Sequence, residues 1–299
     1  MTDQTLFILG GRFGEEPVSD SWSRLDLYAD LGGDLVDSAV SYADGRALHV
    51  LTDWIRSNPG QLKVTCKIGH PVNEKDYAYL SRSRLDDEVR KLTPLVELGS
   101  LDSILLHRDF LAAEIGKVNA FIQDTVETYP GVHVGVSNWG ADRLDRLLSE
   151  VGSNVVTRCS YNLSIVYPRT FLWPGALEFR GSIRKVAEKY HLTNYGWASL
   201  ARGYAVGALD VDGLPDPTVY DTEVNRVTVA RFAALASHLH LPLSTVVIRH
   251  LMAAVPGSRP IVGCRTQTEI EYAAAACSFP PIEMLMDPKS LKFLPEAVV

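Results

Sequence analysis

No apolar run in this 299-residue chain reaches the roughly 20 residues that a membrane-spanning helix needs. The start, Met1-Thr2-Asp3-Gln4, lacks the basic and apolar segments of a secretory signal, so the expected location is the cytoplasm. The four cysteines, Cys66, Cys159, Cys264 and Cys277, show no CxxC spacing. That leaves neither a thioredoxin-like motif nor a cysteine zinc site, and they read as small buried hydrophobes. His238 and His240 lie two apart on an expected helix and point to different faces, so no metal site is expected. A Rossmann fingerprint is also missing, because Gly10-Gly11-Arg12-Phe13-Gly14 has the wrong spacing for GxGxxG. The formal net charge of −7 gives the chain no general attraction for nucleic acid or an anionic membrane, although a local basic pocket is compatible with it. Nor does any linker, low-complexity tract or long charge run divide the sequence, and one domain over 1–299 is expected.

What the chain does have is alternation. Strand-like runs occur at Thr5–Leu9, up to Asp37, up to Lys67, and at Leu101–His107. Four more follow at Val132–Val136, Val155–Tyr161, within Thr193–Leu200, and at Pro260–Gly263. Between them stand apolar stripes at helical spacing: Trp22, Leu25 and Tyr28 behind a Ser19 cap; Leu48, Leu51 and Ile55; Leu85, Val89, Leu92 and Val96. The series continues with Ile115, Val118, Ile122 and Val126, then Leu144, Leu147, Leu148 and Val151, and a last helix over about Thr266–Ala276. Eight βα units predict an α/β fold, a closed (β/α)8 TIM barrel. Val166–Ala176 and Arg202–Tyr220, rich in proline, glycine and aromatics, are the expected loops over its mouth.

Chemistry in such barrels sits at the carboxyl ends of the strands. Three of these ends deliver Asp37 and Tyr42, Lys67, and His107, a set suited to giving a proton to a carbonyl oxygen. The residues alone also admit a structural Asp37–Lys67 ion pair with Tyr42 in packing. Phe13, Trp139, Phe171 and Trp173 are candidates for lining the mouth or for packing at its rim.

In order along the chain, Val36-Asp37-Ser38-Ala39-Val40-Ser41-Tyr42, Val64-Thr65-Cys66-Lys67 and Leu105-Leu106-His107 resemble the aldo-keto reductases. So do Gly135-Val136-Ser137-Asn138, Tyr161-Asn162, Leu200-Ala201-Arg202-Gly203 and Ile261-Val262-Gly263-Cys264-Arg265. The resemblance implies an oxidoreductase using NADP(H), or alternatively NAD(H), to interconvert a small carbonyl compound and an alcohol, as a monomer or small homo-oligomer. Tyr42 would be the general acid, Lys67 its activator, Asp37 the partner of Lys67, and His107 the donor to the substrate oxygen. Ser137, Asn138 and Arg158 would hold the carboxamide, with Arg158 standing where the family usually has Gln. Trp197 would stack on the nicotinamide, while Leu200 and Arg202 pass the pyrophosphate. Gly263, Arg265 and Thr266 would meet the 2′-phosphate, with Glu269 working against it. Tyr272 and Ala273 replace the usual polar grip on adenine, and Ser199 replaces a common proline. Two other readings of the scaffold remain: a redox-neutral lyase or isomerase, and a non-catalytic dinucleotide-binding regulator.

Overall fold

Eight short parallel strands pair in sequential order and close on themselves. They are β1 (Ile8–Gly10), β2 (Leu35–Ala39), β3 (Lys63–Ile68), β4 (Leu101–Leu106), β5 (His133–Ser137), β6 (Val156–Ser160), β7 (Thr193–Gly196) and β8 (Ser258–Gly263). The computed structural model describes residues 7–278 apart from 12, 74, 77, 153, 210, 211, 213 and 215. The expected first strand begins at Thr5, outside those residues, and its described part ends one residue later than expected. The remaining strands match their predicted positions to within a few residues. Parallel strands need crossover connections, and helices supply them.

The outer ring consists of α1 (Val18–Asp30), α2 (Arg46–Ser57), α3 (Arg82–Arg90), α4 (Thr93–Glu97) and α5 (Ile115–Thr128). It continues with α6 (Ala141–Val151), α7 (Gly181–Lys189), α8 (Glu223–Leu239), α9 (Leu243–Ala254) and α10 (Gln267–Ala275). The predicted stripes are the buried faces: Leu48, Leu51, Trp54 and Ile55 of α2 join the outward-facing Val36, Val64 and Cys66 in one core. Each such side chain, fully buried, contributes about 1.5–3 kcal/mol. Tyr28 ties α1 to the barrel by donating to the carbonyls of Phe7 (2.6 Å) and Leu35 (3.0 Å). Gly33 makes that packing possible, since a Cβ there would lie 2.4 Å from the Tyr28 ring. Inside the barrel Ile8, Leu35, Tyr195 and Ile261 form a separate small plug.

Three expectations about helices change. The first helix starts at Val18 with Pro17 as its cap residue, so Ser19 lies inside the first turn. The stripe from Leu85 to Val96 is two helices, because Pro94 has no amide hydrogen and restarts the chain in the first turn of α4. Helices α7, α8 and α9 fill intervals where the sequence showed no clear stripe. In α8 the buried set includes Asn225 and Thr228, and this polar content blurs its periodicity.

Backbone strain gathers at one end. Among the described residues, Ala43, Asp44, Asn138, Ala198, Ala201 and Arg202 all have positive φ and lie in loops at the carboxyl ends of the strands. Strain of this kind persists where surrounding structure enforces it, commonly around a site.

Candidate active site

A cavity of about 450 Å³ opens at that end of the barrel, and Asp37, Tyr42, Lys67 and His107 all line it. Asp37 projects from β2 and Lys67 from β3, with their side chains 8% and 3% exposed and joined by a short salt bridge. Tyr42 opens a tight left-handed turn, Tyr42–Gly45, just beyond β2, and leans on Lys67, whose Nζ is 5.4 Å from its ring centre. His107 follows β4, held by its amide donating to the Ile68 carbonyl (2.7 Å). Its ring meets Tyr42 edge-on at 5.7 Å between centres.

Burial dominates the electrostatics. It pushes the Tyr42 hydroxyl above its ordinary value, with Lys67 pulling the other way, so the phenol stays protonated at neutral pH. Burial also opposes the Lys67 ammonium, but Asp37 and Tyr42 outweigh it and hold the amine charged. For His107, burial and then Lys67, His70 and Arg108 depress the ring well below its ordinary value, leaving a neutral imidazole. The Nδ1 of that ring is buried without a partner. A buried N–H left unpaired costs more than a bare lone pair, which puts the proton on Nε2 toward the cavity. The arrangement therefore presents two neutral donors, a phenol and an imidazole N–H, beside a fixed ammonium. It can stabilise negative charge developing on an oxygen.

The same cavity is lined by Ser137, Asn138, Trp197, Leu200, Arg202, Gly263, Arg265 and Glu269. Asn138 is prearranged: its Oδ1 accepts from the Leu177 amide (3.0 Å) and its Nδ2 donates to Ser137 Oγ (2.8 Å). The hydroxyl hydrogen of Ser137 and the second Nδ2 hydrogen remain for a ligand carbonyl. Trp197 packs against Trp173 with ring centres 5.9 Å apart, and its Nε1 is buried without a partner. Ser199 ties its loop down by donating to the Gly196 carbonyl (2.8 Å), a substitute for the rigidity a proline would give.

Two expected cofactor residues do not reach this cavity. Arg158 lines a second cavity, of about 410 Å³, with Asp34, Asp102, Tyr195 and Arg259. It is one pleat before Ser160 on β6, about 6.6 Å back along the strand toward the barrel floor. There its Nε donates to the Tyr195 hydroxyl (2.8 Å), which donates to Asp102 (3.1 Å). Thr266 is the N-cap of α10, and its Oγ1 accepts from the Glu269 amide (3.2 Å). Glu269 in turn accepts from the Arg265 amide (2.5 Å), giving a reciprocal capping arrangement that occupies two donors of this helix start.

Of the aromatic candidates only Trp173 lines the mouth cavity. Phe13 and Trp139 are core residues, and Phe171 is exposed. Both predicted mouth loops contribute to the wall, through Trp173 and through Arg202, Gly203, Val206 and Ala208. Sequence reasoning missed Arg108 and Ser244, which also line it; the only signal for Arg108 was its place directly after His107. All four cysteines are buried and free. No described helix is long and apolar enough to cross a membrane.

The sequence model of the aldo/keto reductase family matches residues 8–284. An aryl-alcohol dehydrogenase of Pestalotiopsis microspora is 20% identical over 136 residues, which is 43% of this chain and only 35% of that protein. In fold, the chain is similar to an aldo/keto reductase of Klebsiella pneumoniae solved with NADP and acetate. The TM-score is 0.70 at 16% identity, covering 96% of this chain and 89% of that one. An aldo-keto reductase from the same organism solved with NADPH gives a TM-score of 0.69 at 17% identity, covering 96% and 88%. With the family's sequence model matched over nearly its whole length on a closed eight-stranded barrel, the protein belongs to the aldo/keto reductase family of oxidoreductases.

Proposed function

We propose that the protein interconverts a small carbonyl compound and its alcohol with NADP(H), with Tyr42 as the proton donor. The observation that carries this is the protonated Tyr42 placed between charged Lys67 and neutral His107 in the wall of one cavity. When bound, the nicotinamide supplies or accepts the hydride.

The chain's own residues suit such a cofactor. Lys67, Arg108, Arg202 and Arg265 face the cavity against Asp37 and Glu269, a local basic excess in a chain of net charge −7. Ser137 and Asn138 offer donors for the carboxamide, Trp197 an aromatic face, and Arg265 a cation for the 2′-phosphate. The family relatives solved with NADP or NADPH support the same reading. Arg158 has no part in it.

During reduction His107 Nε2–H and the Tyr42 hydroxyl hold the substrate oxygen. As charge builds there, Tyr42 passes its proton to that oxygen, and Lys67 stabilises the tyrosinate left behind. Asp37 keeps Lys67 in place. The reverse reaction uses the tyrosinate as base.

Titrating the purified protein with NADPH and following its fluorescence tests the cofactor. Following NADPH absorbance over a panel of aldehydes and ketones then tests the reaction. Failure to bind NADPH removes the proposal; binding without turnover of any carbonyl leaves the scaffold a dinucleotide-binding protein.

A further inference from the structure

Arg108 stands at the inner wall of the cavity, one residue beyond His107, and is only partly exposed. A cation in that position ordinarily has a carboxylate beside it. This one has none among the described residues. Among those residues its sole hydrogen bond is a contact of 3.5 Å from Nη1 to the Gly175 carbonyl, at the outer limit of a real bond.

The described acids around it are committed elsewhere. Asp109, the next residue, accepts from Arg143 Nε through both oxygens at 2.9 Å. Asp37 is held by Lys67, Glu178 by Arg180, and Asp76 and Glu88 by Arg84. Burial draws the Arg108 guanidinium below its usual value; among the described residues only Tyr42 and Tyr79 act in the other direction, and no carboxylate does. The remaining catalytic groups add no net charge, since Asp37 and Lys67 cancel while Tyr42 and His107 are neutral. Among the described residues, the inner part of the cavity therefore carries one uncompensated positive charge. The other cavity arginines differ. Arg202 donates to the Asp212 carbonyl and lies over Trp173 at 5.6 Å, and Arg265 is exposed at the far rim by α10.

We propose that Arg108 reads an oxyanion on the substrate, so that the carbonyl compound taken by this site carries a carboxylate or phosphate group. A guanidinium with free donors matches either group in a bidentate fashion. The inference rests on the carbonyl-reductase reading above and names its substrate class.

The test compares 4-carboxybenzaldehyde, 4-formylphenyl phosphate and the neutral methyl 4-formylbenzoate with wild type, Arg108→Lys and Arg108→Leu. In wild type one or both anionic aldehydes should exceed the ester in kcat/KM by about ten- to a hundredfold, the range of a charge-assisted hydrogen bond. Which of the two leads tells carboxylate from phosphate. Their KM should rise with ionic strength while that of the ester does not. Arg108→Leu should bring the ratio to about one, and Arg108→Lys should keep part of it.

Reduction of the ester with no preference for either anion in wild type overturns the proposal, whatever the variants do. So does a ratio that survives Arg108→Leu, or a loss confined to NADPH affinity. A separate readout is the binding of 4-(hydroxymethyl)benzoate and of benzyl alcohol to the NADP⁺ complex, followed by fluorescence. Tighter binding of the carboxylate, lost in Arg108→Leu, with no aldehyde reduced by wild type, would sustain Arg108 as the anion reader and sink the reductase reading instead.

Discussion

Lys67 reaches Asp37 across a diagonal of the barrel: the register partner of Asp37 is Thr65, and that of Lys67 is Ala39. The ammonium leans back one pleat toward the floor to meet its carboxylate, with its Nζ 5.4 Å from the centre of the Tyr42 ring. One buried ion pair thus both cancels charge inside the barrel and fixes where the lysine can act.

Asp37→Asn should cost about 3–5 kcal/mol of stability, because it leaves the Lys67 charge buried and unpaired. Urea denaturation of the two proteins measures this. An unchanged midpoint would mean that water, not Asp37, satisfies the ammonium.

Tyr42→Phe should lower turnover by about 10²–10⁴-fold, the loss typical of a positioned proton donor. Its NADPH dissociation constant and thermal midpoint should stay close to those of wild type, since only a hydroxyl facing the cavity is removed. A Phe variant retaining most of the rate would strip Tyr42 of the role.

The pH profile follows from burial of the same groups. Tyr42 is raised and His107 lowered, so across the neutral range both remain in the forms that reduction needs. The reduction rate should be flat there and fall on the alkaline side only above the ordinary tyrosine value of about 10. Lys67→Met removes the charge that pulls Tyr42 down, so its alkaline limb should move to still higher pH. Oxidation, which needs the tyrosinate, should slow further at a fixed mildly alkaline pH. An acid limb near the ordinary histidine value of about 6.5 would show that His107 titrates freely.

On the proposed reading, cofactor preference turns on the start of α10. Arg265→Ala should reduce the ratio of NADPH to NADH affinity. Glu269→Gln should raise it, because the amide can still accept from the Arg265 N–H while the repelling charge is gone. Dissociation constants for both dinucleotides decide the matter, and a ratio untouched by either change would place the 2′-phosphate elsewhere.

Gly135→Ala should destabilise the barrel by about 1–3 kcal/mol through overpacking. A Cβ at that position would stand 2.5 Å from the Arg158 carbonyl oxygen and 2.8 Å from its Cβ, backbone and stem atoms with little room to give. The urea midpoint is again the readout.

The residue order by itself determined the alternation of strands and helices, and through it the barrel. It also carried the Asp37, Tyr42, Lys67 and His107 set, because each stands in or just beyond a readable apolar run. Period and position fix which face of a strand a residue occupies, but not how far along the barrel axis it lies. Arg158 shows the difference. The β5–β6 register shifts between Val134 and Gly135, and the arginine ends near the floor, bound to Tyr195, instead of beside Ser137 and Asn138. The capping role of Glu269 likewise depends on which amides its carboxylate finds once α10 has formed. Only tertiary structure decided the surroundings of Arg108. Whether Arg108 is neutralised depends on which of many acids lies within a few ångströms after folding, and Asp109, its neighbour in sequence, turns away to Arg143.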